Sequence, residues 1–268
     1  MPGCDNEAFR MIPSSQQGEE SLILVDTVSK RFGDIEAIRS ISLQVRKGEI
    51  FGIVGSDGAG KSTLLRMTAT LLKPDTGRIL IDGLDVVRQK KLIKPKIGYM
   101  PQRFGLYQDL TVEENIAFFM DMFGISGSER RERRDRYLAF SNLLSFTDRL
   151  AGRLSGGMKQ KLGLACVLIH EPDVLILDEP TNGVDPVSRQ EFWQMLGSMK
   201  ERGMTILIST AYLDEGGKCD RLALMHRSSV LAVAAPTEIQ SDYSSLEEAM
   251  IQRIQTVDKE LAGEQFKP

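Results

Sequence analysis

No stretch of this chain approaches the roughly 20 apolar residues needed to cross a bilayer. Apolar runs such as those at residues 22–25 and 174–177 have the length of a strand, so no membrane span is expected. Residues 1–20 are polar and lack a basic segment followed by an apolar one, which argues against a secretory leader. Cysteine is scarce: Cys4, Cys166 and Cys219 are scattered at spacings that suit neither a disulfide framework nor a metal site, and a reducing cytoplasm is the expected setting. An excess of one charge is missing too. With 34 Lys and Arg against 37 Asp and Glu, the net charge of -3 gives no global pull towards nucleic acid or an anionic membrane. The two histidines, His170 and His226, have no sequence neighbours that suggest a catalytic or metal role.

What is present suffices for an ordinary globular protein: 268 residues with 41% hydrophobic side chains can bury a sizeable core. A flexible tail is expected over residues 1–20, with order beginning at Leu22. The alternations Ile41, Leu43, Val45 and Ile79, Ile81, the latter before the turn Asp82-Gly83, read as half-buried strands of an antiparallel layer. Thr111 and Glu114 form a capping box that opens a helix with apolar Ile116, Phe119, Met120 and Phe123, stopped by Gly124. A charged segment over residues 129–136 continues through Tyr137, Leu138 and Leu144 as a second helix. Its arginines 130, 131, 133, 134 and 136 alternate with Glu129, Glu132 and Asp135, the pattern of a solvated face. Together these helices predict a lobe inserted at about 104–159.

Beyond the lobe, residues 174–177 and 205–210 read as strands buried on both faces. Between them Asp185 caps a helix with Pro186 at its first position, ending near Gly203, so a parallel crossover is expected. A final amphipathic helix carries Leu246, Met250, Ile251, Ile254, Val257 and Leu261, and docking on the protein's own body is the simpler reading of it. The predicted division is a tail over 1–20, a main domain over 21–240 and a C-terminal helix and tail over 241–268.

Residues 55–63, Gly55, Ser56, Asp57, Gly58, Ala59, Gly60, Lys61, Ser62 and Thr63, satisfy G-x-x-x-x-G-K-[ST] between a predicted strand at 50–54 and a helix beginning at Lys61. Glycines turn successive N–H groups inward, the helix start adds its positive dipole end, Lys61 reaches terminal phosphates, Ser62 can ligate Mg2+, and Thr63 can reach another phosphate oxygen. A second pole follows the strand at 174–177, where Asp178 and Glu179 stand at its carboxyl end. Asp178 is expected to hold Mg2+ through water, and Glu179 to orient or deprotonate an attacking water.

Between the poles stand Leu154, Ser155, Gly156, Gly157, Met158, Lys159 and Gln160, and with them the sequence resembles the nucleotide-binding subunits of ATP-binding-cassette transporters from about Leu22 to Ile239. The resemblance implies an α/β P-loop NTPase with a RecA-like core, an antiparallel β subdomain and an inserted α-helical subdomain. It implies ATP and Mg2+ as cofactors and hydrolysis of ATP to ADP and phosphate. Phe32 matches the aromatic that stacks on adenine, Gln102 the glutamine that senses Mg2+ and water, and Asp185 the acid that communicates across a dimer. In this family Ser155, Gly156 and Gly157 close on the γ-phosphate held by the opposite subunit, so a second nucleotide-binding subunit, identical or not, is implied in a head-to-tail dimer. The segment at 105–115 resembles the exporter branch. There Phe104, Leu106 and Tyr107 either meet a polytopic membrane permease or seal the lobe's own core. A cytoplasmic subunit, peripheral on the inner face of the cell membrane and without nucleic acid as partner, is expected. The competing reading is a soluble cassette acting on ribosomes or as an ATP switch, with no transporter attached; such proteins usually carry two cassettes in one chain.

Four departures stand out. Where the family has a histidine after the strand ending at Thr210, this chain has Ala211, which offers neither donor nor charge. Gly216 and Gly217 are expected to loosen the following helix. Ser56 and Asp57 replace Pro and Asn, adding a negative charge near phosphate, and Met158 replaces Gln. A slow, degenerate site is the expectation, whether Ala211 is inherited or engineered.

Overall fold

Alternation and its absence sort the strands into two sheets in the computed structural model, which describes residues 21–265, with side chains described as far as residue 259. The tail expected over 1–20 lies outside the described residues. In chain order the elements are β1 (Ser21–Phe32), β2 (Ile35–Arg46), β3 (Ile50–Val54), α1 (Lys61–Thr68), β4 (Thr76–Ile81), β5 (Leu84–Asp85), α2 (Lys90–Ile93), β6 (Ile97–Met100), α3 (Val112–Met122), α4 (Gly127–Phe140) and α5 (Gly156–Leu168). There follow β7 (Val174–Asp178), α6 (Pro186–Glu201), β8 (Thr205–Thr210), α7 (Leu213–Gly216), β9 (Arg221–His226), β10 (Ser229–Ala234), α8 (Pro236–Gln240) and α9 (Leu246–Gln265).

Strands β3, β7 and β8 are buried at every residue because they lie inside the six-stranded sheet β10-β9-β3-β8-β7-β6. Its strands run parallel apart from the edge strand β10. Successive residues of β8 serve opposite faces: Leu207 packs towards α1 and the second sheet, Ile206 and Ile208 towards α5 and α6. The second sheet, β2-β1-β4-β5, is antiparallel and half-buried; Ile41, Leu43 and Val45 point inwards with polar residues between them. Cys166 and Cys219 are buried free thiols, and burial pushes Cys219 up to about 12, so it behaves as a small apolar side chain.

The helical lobe has its own core of Val112, Ile116, Met120, Leu138, Leu162 and neighbours. Thr111 and Glu114 do form the capping box, and Gly124, at φ +70°, closes α3 one residue after its C-cap. The second lobe helix stops at Phe140, short of Leu144, because Asn142 adopts φ +56° and turns the chain out of the helix; Leu144 is exposed. Four of the five arginines of α4 are held in ion pairs: Arg130 with Asp121, Arg133 with Glu129 and Glu171, Arg134 with Glu113 and Asp135, Arg136 with Glu132 and Glu171. Among the described residues no helix is long and apolar enough to cross a membrane.

Helix α9 docks on the body of the protein through Ala249 and Met250, which join Val54, Leu222, Leu224 and Ile239 in one cluster; Ile251, on the predicted apolar stripe, is exposed instead. Gly216 explains the dock. α7 is a single turn that ends at this glycine, and a Cβ there would lie 3.2 Å from both Met250 Cε and Leu222 Cδ2, so the glycine makes room for the methionine. Met250→Ala should cost about 2–5 kcal/mol of stability by emptying this space. Urea unfolding is expected to show a lowered midpoint with an unchanged slope.

Candidate functional site

The loop at 55–63 joins β3 to α1, and it is clamped from both sheets. A Cβ at Gly55 would overlap the carbonyl of Met225 at the end of β9; one at Gly60, at φ +102°, would overlap the carbonyl of Ala37 in β2. Ala59 is buried beneath the loop, whereas Ser56, Asp57 and Gly58 face solvent. Thr63, two residues into α1, is half-buried.

Lys61 opens α1 with a side chain only 3% exposed. Its Nζ donates to the carbonyls of Gly55 at 2.8 Å and Ser56 at 3.0 Å and pairs with Glu179 Oε1 at 2.9 Å. Asp57 is 3.8 Å away but 91% exposed, so the charge it adds is largely spent on water.

The two strand-end acids are held by different partners. Asp178 Oδ1 accepts from Ser62 Oγ and Ser209 Oγ, each at 2.8 Å, while its buried Oδ2 has no hydrogen-bond partner among the described residues. Glu179 turns through φ +48°, a left-handed conformation that costs a non-glycine residue about 1–3 kcal/mol. Ser209 stabilises that turn, since the Glu179 N–H reaches its carbonyl at 3.1 Å and its Oγ at 3.0 Å. The Glu179 carboxylate accepts on Oε2 from Gln102 Nε2 at 2.9 Å and Asn182 Nδ2 at 3.3 Å. One ammonium, two carboxylates, two hydroxyls and two carboxamides thus converge from the ends of β3, β6, β7 and β8 at the carboxyl end of a parallel sheet. Such an arrangement suits a polyphosphate accompanied by a divalent cation.

Phe32 ends β1 as an exposed ring, on the hairpin whose Ala37 carbonyl faces Gly60. Ser155 caps α5, its Oγ accepting from the Met158 N–H at 3.3 Å, so the methionine at that position keeps the backbone contact. Gly156 borders open space, whereas a Cβ at Gly157 would overlap Ser188 in the first turn of α6. Asp185 caps α6 by accepting from the Ser188 N–H at 3.0 Å, which holds its carboxyl below the usual carboxylate range. Among the described residues no hydrogen bond links Ser155, Gly156 or Gly157 to the loop at 55–63. Ala211, beyond β8, exposes its methyl group.

In the lobe, Phe104 stacks on Phe119 with ring centroids 5.6 Å apart and Leu106 is buried, so both seal the local core. Tyr107 is 46% exposed and meets Phe118 edge-on, beside exposed Met122 and Phe123. His170 stacks on Phe123, and His226 bonds Asp258 of α9 at 2.8 Å, which makes both histidines structural. Sequence reasoning missed Ser209, Asn182, Tyr212 and Glu215. The one available signal for Ser209 was the polar pair Ser209-Thr210 closing an otherwise apolar buried strand.

The sequence model of the family described as ABC transporter matches residues 38–182. The probable multidrug ABC transporter ATP-binding protein YbhF of Escherichia coli is 47% identical over 219 residues, 81% of this chain but 38% of that protein. The chain therefore spans about two-fifths of that relative. Nod factor export ATP-binding protein I of Paraburkholderia xenovorans is 38% identical over 221 residues, 82% of this chain and 73% of the relative. Among solved structures, the dimeric post-hydrolysis state of the ATP-binding cassette MJ0796 bound to ADP and Pi is similar with a TM-score of 0.71 and 28% identity, covering 80% of this chain and 98% of that one. The fold and the converged loop are those of an ATP-binding cassette with a P-loop core, and the chain belongs to the ABC transporter family.

The contact at Gly157 is testable. Gly157→Ala should destabilise the protein by about 1–3 kcal/mol through overlap with Ser188, and Ser188→Gly in the same chain should recover most of the loss. Chemical denaturation of the single and double variants measures both.

Proposed function

We propose that this chain is the ATPase subunit of an exporter, binding ATP with Mg2+ and hydrolysing it slowly at a site completed by another subunit. The observation that carries the reading is the buried Lys61 poised between two carbonyls and Glu179. Phosphate oxygens are stronger partners for the ammonium than carbonyls, and their arrival would draw it from Glu179. The freed carboxylate would stay held by Gln102 and Asn182 and accept a proton from water. Asp178 and Ser62 fit Mg2+: a buried carboxylate oxygen without a partner beside a hydroxyl is a half-made ligand set, with Gln102 as the third expected contact. When bound, the ion would offset the charge developing on the phosphate oxygens.

Three features support the wider reading. Ser155, Gly156 and Gly157, unlinked to the loop of their own chain, fit a γ-phosphate held by another copy, with Asp185 beside them and Phe32 as the adenine platform. The exposed Tyr107, Phe118 and Met122 on the lobe suit a polytopic permease, which would hold the subunit at the inner face of the membrane. The names of the two relatives, one multidrug and one export, favour an exporter over a ribosome-bound cassette. Ala211 leaves the end of β8 without a donor, which supports slow turnover.

Lys61→Ala should weaken ATP binding by about ten- to a hundredfold, the equivalent of one charge-assisted contact, in calorimetric titration. Equal affinity would sink the reading. Ala211→His should raise kcat at least about tenfold; unchanged turnover would locate the slow step elsewhere. Co-purification with a polytopic protein from detergent-solubilised membranes supports the exporter, and sedimentation with ribosomes would replace it.

A further inference from the structure

Glu215 is a carboxylate with no exposed surface and no place in the chemistry described above. An unpartnered charge at such a site would cost several kcal/mol, so its surroundings are informative. It accepts from Thr181 Oγ1 at 2.8 and 3.1 Å and from Thr210 Oγ1 at 2.6 Å, with Arg189 Nε of α6 at 3.7 Å. Thr181 stands two residues after Glu179, and Thr210 is the last residue of β8. One buried acid therefore ties together the ends of the two strands that frame Glu179.

The network extends to Tyr212, the neighbour of Ala211. The Tyr212 N–H donates to Thr210 Oγ1 at 3.0 Å, and the Arg189 guanidinium lies 4.1 Å from its ring centroid. With the backbone tied to Thr210 and the ring packed on Arg189, the hydroxyl points to Asn182 Oδ1 in a long hydrogen bond of 3.5 Å. A carboxamide has one acceptor end and one donor end, so engaging the oxygen presents Nδ2 to the other side, where it donates to Glu179 Oε2 at 3.3 Å.

We propose that Tyr212 is a positioning residue for Glu179, acting through Asn182 from the segment that lacks the histidine. The inference rests on the reading of Glu179 as the group that accepts the proton of water. Once Lys61 turns to phosphate, Glu179 Oε1 loses its partner, and Oε2 keeps only Gln102 and Asn182. The relay then accounts for half of the remaining grip, on a residue whose backbone is already strained. Glu215 and Arg189 supply the frame that keeps the phenol in place; the hydroxyl supplies the orientation.

Steady-state ATPase assays of the full chain, with thermal melts and nucleotide titrations alongside, test the relay. Tyr212→Phe, which keeps the ring on Arg189, should lower kcat about five- to tenfold, the size of one lost neutral hydrogen bond, with KM, ATP affinity and melting temperature unchanged. Asn182→Ala should do the same, and the double variant should fall no further, because both belong to one chain of contacts. Tyr212→Phe at full turnover, or losses that multiply in the double variant, would overturn the inference. A fall in kcat matched by a lower melting temperature would reduce Tyr212 to a structural role and overturn it as well. Glu179→Gln separates this from the underlying reading: if that variant keeps normal turnover, the role of Glu179 fails and the relay with it. If it is inactive while Tyr212→Phe is not, the relay alone fails.

Discussion

A buried ammonium has to be met by oxygens, and much of this protein is arranged to meet the one on Lys61. Two of its partners are carbonyls of its own loop, which requires that loop to curl back on itself. The curl is possible only where Gly55 and Gly60 let the chain press against Met225 and Ala37. The third partner is Glu179, delivered from another strand and through a left-handed turn that Ser209 secures. Three strands and the edge of the second sheet must therefore be in register before the ammonium is satisfied. The parallel sheet with its continuous apolar strands is the frame that fixes this register.

That dependence separates what could be read from the linear chain from what could not. Lys61, Ser62, Asp178 and Glu179 were legible because each lies in a local pattern whose chemistry is carried by neighbours in sequence. The helix starts at Thr111 and Asp185 were legible for the same reason, since a cap and its N–H donor are three residues apart. Leu144 was misread because a helical apolar spacing continued past Asn142, and the stop that an asparagine after the helix end can supply, here at positive φ, was outweighed by that spacing. Phe104, Leu106 and Tyr107 form one short apolar segment, and only tertiary contacts divide it into two core residues and one surface residue. The glycines at 216 and 217 suggested a loosened helix; what makes Gly216 necessary is Met250, 34 residues away in sequence and visible only in the fold.

The site also shows two kinds of preparation for ligand. Asp178 leaves one carboxylate oxygen buried and unused while the other is shared by two hydroxyls, so acceptor capacity is held in reserve. Glu179, by contrast, is engaged on both oxygens, by Lys61 on one and by Gln102 and Asn182 on the other. Under the proposed function, the ammonium that would hold the phosphate also holds Glu179 at 2.9 Å, so that occupancy and release of the carboxylate would be coupled.

The close approach of Gly157 to Ser188 has a mechanical meaning. Ser155 sits on the helical lobe and Asp185 at the start of a core helix, and between them the backbone of Gly157 presses directly on the short side chain of Ser188. A swing of the lobe towards the core is blocked by hard contact, while a swing away meets no such wall. The edge these segments form therefore behaves as a one-way stop between the start of α5 and the first turn of α6.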